Sequence, residues 1–335
     1  MDLTDSPNSL RGYEAARHRA CLLRRADRGL IVVSGQDRAT YLQGLLTNDI
    51  VALAAGMGCY AAYLTPQGRM IADVWVYEIG DVILVSLSRD VKQTVLERLD
   101  QFIFSEDVQL GDLTEAYAAL VVAGPDADKV VASVIGGTHA ADLEALPEHG
   151  NLRTSFDGSP VIVLRVTDLG VPALELVVET PHASALATAI SGAGAETLDE
   201  SAAEALRIEA GIPRFHHDMN EETIPLEAGI ESRAISLTKG CYVGQEVIIR
   251  VLHRGHGRVA RKLSGLVVDG EAALRPGTAV YHDGREIGRI TSSTVSPTLG
   301  HPIALAYLHR DSAHAGSRVS VDGATATVTV LPFVR

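Results

Sequence analysis

Hydrophobic and polar positions alternate along this chain in short runs, and the runs predict strands more often than helices. Residues 29–35 (GLIVVSG) read as a strand, and Asp37 then stands where an N-cap would open a helix over 38–46 (RATYLQGLL). Two strands follow, 59–64 and 70–79, around the breaker TPQG; an apolar strand over 81–87, a helix over 91–102 and a strand over 106–113 complete the unit. Strands accompanied by only two helices point to an α+β sheet covered on one face. Residues 1–25, ahead of this pattern, are polar and predict a flexible N-terminal segment.

A second unit repeats the order of elements without repeating the sequence. It runs through strand 116–125, a small helix over 126–134, strands 159–168 and 173–180, and a helix over 182–190. Gly192 and Gly194 give GxG with no third glycine and no preceding strand, which argues against a dinucleotide loop. A helix over 199–212 leads into a long aperiodic stretch, 213–231, whose prolines and apolar anchors suggest an ordered binding loop. From residue 261 onward, short strands broken by Gly, Asp and Pro predict a small all-β barrel. The expected organisation is therefore a segment 1–25, one α+β domain from 26–115 with 199–250, a second from 116–198, and a barrel from 251–335.

Composition narrows the function classes. The 335 residues carry 29 Lys+Arg against 42 Asp+Glu, a formal charge of −13, which opposes a surface that coats nucleic acid or anionic membrane. Direct nucleic-acid binding is thus unfavoured, and no apolar run is long enough for a membrane span. Cys21, Cys59 and Cys241 are too scattered for a disulfide framework or a zinc site, so a reducing, cytoplasmic setting is expected. Adjacent His216, His217 and Asp218 invite a metal, but no other ligand cluster accompanies them, and no metal site is assigned.

Three stretches offer chemistry. In Lys239-Gly240-Cys241-Tyr242-Val243-Gly244-Gln245-Glu246, a helix starting near Gly244 would place Cys241 before its positive end and near Lys239, favouring a reactive thiolate; a small residue packed in a tight turn is the plain alternative. In strand 70–79, Asp73, Trp75 and Tyr77 share a face, which taken alone reads first as the outward polar face of an edge strand and otherwise would suit a flat heterocycle with N–H donors. Glu209 and Glu227 bracket the long loop and offer a second carboxylate, with Glu209 alternatively an ordinary helix-end residue. Arg250, Arg254, Arg258, Arg261 and Lys262 follow with no acid among them, either as a dock for carboxylates or phosphates or as a solvated cationic face.

The KGCYVGQE segment, with VSGQDRATYLQGLLTNDI upstream and LRIEAGIPRFHHDMNEETIPLEAGI before it, closely resembles the YgfZ family of folate-binding proteins, relatives of the glycine cleavage T-protein (aminomethyltransferase, GcvT). The resemblance implies a three-part ring of two α+β, ferredoxin-like units and a C-terminal barrel, with a tetrahydrofolate site near its centre. It further implies an accessory role in assembling or repairing iron–sulfur clusters, including those of tRNA-modifying enzymes, through transient contact with iron–sulfur enzymes or assembly proteins. Cys241 would be the key thiol, with Lys239, Tyr242 and Gln245 in the same functional segment. Asp73 and Tyr77 fall where the T-protein has its catalytic aspartate and a folate-contacting tyrosine, Glu227 falls where it binds the pterin, and Arg250 and Arg254 would meet the glutamate tail. The alternative implied is a T-protein-like aminomethyltransferase or demethylase. Two departures stand out: Asp73 and Glu227 are both kept, as in T-proteins, whereas Cys241 is not a T-protein feature. His216–His217 replace smaller residues, and the sequence offers no account of that change.

Overall fold

The computed structural model describes residues 7–253, 258–312 and 314–334. In chain order the strands are β1 (Cys21–Arg25), β2 (Arg28–Ser34), β3 (Gly58–Leu64), β4 (Met70–Glu78), β5 (Ile83–Ser88), β6 (Gln109–Asp112), β7 (Tyr117–Ala123), β8 (Asn151–Phe156), β9 (Ser159–Val166), β10 (Ala173–Glu179) and β11 (Glu196–Thr197). The C-terminal part adds β12 (Arg261–Val268), β13 (Ala279–His282), β14 (Arg285–Ser296), β15 (His301–His309), β16 (Arg318–Val321) and β17 (Ala324–Thr329). They form a five-stranded sheet ordered β3-β4-β5-β2-β6, a six-stranded sheet ordered β11-β1-β7-β10-β9-β8, and a closed barrel β12-β15-β14-β13-β16-β17.

Side-chain alternation on β7 shows how the layers stack. Val121 and Ala123 join the core shared with the five-stranded sheet, while Leu120 and Val122 turn to a second core beneath the helices Ala127–Val134 and Ala183–Gly192. The six-stranded sheet is therefore buried on both faces, and its inner face meets the other sheet across one common core. The barrel keeps a core of its own, and Ile208 on the helix Glu200–Glu209 joins Leu263, Ile303 and Leu305 to seat that helix against it.

The flexible lead-in expected over residues 1–25 is corrected for the part described. Pro7–His18 is a helix whose buried face is Ser9, Gly12, Tyr13, Ala15 and Ala16, and Cys21–Arg25 pairs with both β7 and β11. That face is built from small residues, so it carries no strong apolar signal. Its purpose is close approach: a Cβ on Gly12 would lie 2.4 Å from the Thr197 carbonyl oxygen.

β1 and β2 are separated only by Ala26 and Asp27, yet they belong to different sheets. The chain thus crosses from one sheet to the other within two residues, and Arg25 and Arg28 flank the crossing.

Candidate functional site

Asp73 lies on β4, a strand whose nine residues are all buried, so it is no solvent-facing edge. The residue is 3% exposed, and its carboxylate accepts a hydrogen bond from the Tyr60 hydroxyl at 2.9 Å. Tyr60 sits on the neighbouring β3, where its ring centroid is 4.9 Å from that of Trp75. Burial raises the Asp73 pKa; the Arg28 guanidinium and the Tyr60 hydroxyl oppose that rise without cancelling it.

Around Asp73 the two sheets contribute a buried ionic cluster. Arg28 lies over the Trp75 ring, 3.8 Å from its centroid, and pairs with Asp168 at 3.0 Å. Arg25 pairs with Asp168 at 3.0 Å and with Glu175 at 2.9 Å. Burial disfavours ionised Asp168, yet the two guanidinium groups hold it well below the usual carboxylate range. Burial wins at Glu175, whose pKa is raised in spite of Arg25. Two arginines thus face three carboxylates, and Asp73 is the one without an ion-pair partner among the described residues, which leaves an acceptor for N–H donors.

A cavity of about 220 Å³ opens beside this cluster, lined by Asp73, Trp75, Arg28, Asp168, Arg207, Arg214 and Phe215 among others. A second, of about 280 Å³, is bounded by Arg24, Arg25, Arg28, Glu175 and Tyr117. Arg24, Arg25, Ala26 and Arg28 line both, so the crossing between the sheets is the wall between them.

The other residues singled out in the sequence are dispersed. Tyr77 is fully buried on the same strand and does not line the Asp73 cavity; the stacking surface there is Trp75, and Arg28 covers it. Glu209 is fully buried in a different network, accepting from the Tyr13 hydroxyl at 2.6 Å and from Arg17 and Ser296, so its carboxylate joins the N-terminal helix to the barrel. Glu227 pairs with Arg261 at 3.2 Å in a larger cleft of about 920 Å³ between the long loop and the barrel, which Asp73 does not line. Asp73 and Glu227 thus line different cavities.

Lys239 is a clamp. Its ammonium donates to the carbonyls of Gln43 (2.6 Å), Leu46 (2.6 Å) and Asn48 (2.8 Å), which uses all three of its protons at the end of the helix Arg38–Leu45. Burial pushes its pKa down to about 8. Tyr242 is buried with its ring centroid 5.2 Å from that ammonium, and its hydroxyl has no hydrogen-bond partner among the described residues. Gly244 takes φ +86° because the turn comes so close to the β3–β4 hairpin that a Cβ would meet the Thr65 oxygen at 2.5 Å. Cys241 is exposed and lines neither the Asp73 cavity nor the Glu227 cleft. Gln245 and Arg250 lie on the helix Gln245–His253, Arg250 exposed, and neither lines the Asp73 cavity; Arg254 lies outside the described residues.

Sequence reasoning missed Arg25, Arg28, Asp168 and Glu175. The available signal was Glu175 itself, one acid inside the otherwise apolar run ALELVV, a position that a buried strand fills with charge only when a partner is near. Among the described residues no group of three or more His, Cys, Asp or Glu side chains is placed to hold a metal ion, and no helix is long and apolar enough to cross a membrane.

Two facing α+β sheets, a carboxylate-bearing cavity at their crossing and a barrel seated on the connecting helix define the class of glycine cleavage T-protein-like folds. A family model for the GCVT N-terminal domain matches residues 6–239, and one for the glycine cleavage T-protein C-terminal barrel domain matches residues 261–334. The chain belongs to the GcvT family.

Among its relatives, an aminomethyltransferase of Rubrobacter xylanophilus is 34% identical over 96% of this chain and 85% of its own length, and one of Streptomyces coelicolor is 32% identical over 96% and 88%. The crystal structure of glycine cleavage system aminomethyltransferase T from Bartonella henselae has the same fold, with a TM-score of 0.88 at 22% identity over 97% of this chain and 89% of that one. These relatives overturn the expectation of an iron–sulfur accessory protein of the YgfZ type. The resemblance holds at the level of the GcvT family, and the iron–sulfur partners and tRNA-modification role inferred from the KGCYVGQE segment have no support from these relatives.

Proposed function

We propose that this chain is a tetrahydrofolate-dependent aminomethyltransferase. The observation that carries the reading is Asp73: a buried carboxylate with no ion-pair partner among the described residues, in a cavity between two sheets, within a chain whose relatives at 34% and 32% identity bear that name.

Aminomethyltransferases of this family use tetrahydrofolate, whose ring amine supplies the nucleophile that takes up the one-carbon unit. The residues present fit such a group. Asp73 offers an acceptor for the N–H edge of a reduced pterin, and Tyr60, donating to one of its oxygens, fixes the carboxylate plane. Because Arg28 already covers Trp75, the ring would meet Asp73 edge-on in preference to stacking on the indole. Held in a dry site, the ionised carboxylate also stabilises positive charge that develops on a one-carbon carrier nitrogen.

Incubation of the purified protein with tetrahydrofolate and an aminomethylated lipoyl carrier tests this. Methylene-tetrahydrofolate and ammonia are the expected products, and Asp73→Asn is expected to lower kcat/KM by ~10²-fold or more. Absence of turnover by the unaltered protein would sink the reading, and full activity of the Asn variant would remove Asp73 from the mechanism.

A further inference from the structure

The turn over residues 214–219 stands between two spaces: Arg214 and Phe215 line the Asp73 cavity, and His216 lines the larger cleft between the long loop and the barrel. Its two anchors differ in kind. At one end Asp218 is buried and accepts from Arg207 (2.6 Å), Ser292 (2.7 Å) and the Arg214 backbone N–H (3.1 Å), which fixes it to the connecting helix and the barrel. At the other end His216 stands at φ +62° with its ring centroid 4.6 Å from that of Phe215, and its two ring nitrogens meet Asp90, beyond β5, at 2.5 Å and Glu221, in the same loop, at 2.9 Å. The other charged groups on that cleft are balanced, Arg69, Arg261 and Arg289 against Glu222, Glu227 and Glu286, with His309 and the Arg207-paired Asp218 beside them, and none of these pairs with His216.

We infer that His216 is a positioning residue for the Asp73 cavity: a proton-dependent latch that holds the Phe215 wall closed while both ring nitrogens carry hydrogen and releases it when one hydrogen is lost. That the wall closes on tetrahydrofolate rests on the aminomethyltransferase reading, whereas the latch itself does not. Two carboxylates on one imidazole require two N–H donors, and the neutral ring has one. Deprotonation therefore leaves a ring lone pair facing a carboxylate and removes the positive charge that Asp90 and Glu221 share. Partial burial lowers the His216 pKa, and the bonds to Glu221 and Asp90 raise it above its ordinary 6.5, so the latch is complete below that value and is lost as pH rises through the folded pKa. Because Asp218 is held independently, release concerns the 214–216 end of the turn, which carries Phe215. His217, next in the chain, is moved the opposite way by burial and by Arg214, and it makes no side-chain hydrogen bond among the described residues, so it supplies no latch.

Trp75, the single tryptophan of the chain, lines the Asp73 cavity and is 8% exposed, so it reports access to the cavity without any ligand. The test measures acrylamide quenching of its fluorescence, and the dissociation constant for tetrahydrofolate, at pH 6 and pH 8.5 in the full chain and in His216→Gln, His216→Arg, Asp90→Ala and His217→Gln. The side chains of the latch are 33–66% exposed, so the effect is modest: the quenching constant should rise ~2–5-fold from pH 6 to pH 8.5, with tetrahydrofolate weakened by a similar factor. His216→Gln and Asp90→Ala should be open at both pH values, His216→Arg, whose charge persists, should stay closed at pH 8.5, and His217→Gln should follow the unaltered protein. A flat quenching profile in the unaltered protein, or a rise that survives in His216→Gln, would overturn the latch; should that variant not fold, Asp90→Ala decides the same question. A quenching rise with an unchanged dissociation constant would overturn the positioning role. Failure to bind tetrahydrofolate at either pH is a different result, because it overturns the folate reading while the quenching profile still decides the latch.

Discussion

Replacing Lys239 with Met separates a structural clamp from a catalytic amine. A hydrogen bond to a charged group contributes a net ~1.5–3 kcal/mol, and Lys239 makes three, to Gln43, Leu46 and Asn48. The three share one charge, whose burial lowers the amine pKa from 10.5 to about 8, a cost of ~3 kcal/mol that offsets one to two of the bonds and leaves ~1.5–6 kcal/mol. Water can reach two of the freed carbonyls, which lie in part-buried positions, so a value near the lower end, ~2 kcal/mol, is the expected loss. At ~2–4 °C per kcal/mol for a unit of this size, the melting temperature should fall by ~4–8 °C. Differential scanning fluorimetry supplies the shift, and the aminomethyl-transfer assay, run well below the transition, supplies kcat. The clamp predicts a large thermal shift with kcat within about threefold of the parent. It also predicts that Cys241→Ala, on the exposed side of the same segment, changes neither. An unshifted melting temperature with kcat abolished would refute the argument and make Lys239 a chemical group.

Two further outcomes follow from the buried and partly buried charges. Asp168→Asn leaves Arg25 with Glu175 at 2.9 Å and Asp27 at 3.9 Å and leaves Arg28 without an ion-pair partner among the described residues, and should cost ~3–5 kcal/mol at neutral pH by thermal unfolding. Because Asp168 titrates below its ordinary 3.8 when folded, its contribution is present above that value and fades only as pH falls further, so the gap between parent and variant should persist to pH 5. His216 donates from Nδ1 to Asp90 (2.5 Å) and from Nε2 to Glu221 (2.9 Å), and two carboxylates require both ring nitrogens protonated. Its pKa is raised by those bonds against a partial burial that lowers it, so its stabilisation is full below 6.5 and is lost as pH rises through the folded value. His216→Gln should therefore lower the melting temperature more at pH 6 than at pH 8.5, and proton NMR should place the His216 titration above 6.5; a midpoint below that would refute the assignment.

That bond pair also explains a substitution the sequence left unaccounted for. His216 adopts φ +62° and ties the long loop to the end of β5 through Asp90, which holds Phe215 and Arg214 in the wall of the Asp73 cavity. The loop was legible as ordered because its prolines and apolar anchors are local features. Its anchor was not, since Asp90 lies 126 residues away. The same division runs through the fold. Strands, barrel and the α+β class come from local periodicity, and they were readable. The N-terminal helix was not, because it packs through Gly12, Ala15 and Ala16, residues chosen for closeness and not for hydrophobic area.

The site divides along the same line, with a consequence for how it forms. Asp73 could be found because a carboxylate between aromatics on a strand is odd in its own neighbourhood. Arg25, Arg28, Asp168 and Glu175 come from a short crossing, a loop and a strand of the other sheet, and no window of sequence contains their pairing. Separately, the six-stranded sheet would keep Arg25 with Glu175 and with Asp168 on the β9–β10 loop, but Arg28, which opens β2 in the other sheet, would lack Asp168. Docking the sheets adds that pair and buries the cluster, and an unpaired buried charge is costly enough that partial docking gains little. The cavity wall and the domain interface are thus one object, which couples integrity of the Asp73 site to association of the two sheets. The net charge of −13 bears on this only in bulk, since the cluster that shapes the site is close to neutral until Asp73 is counted.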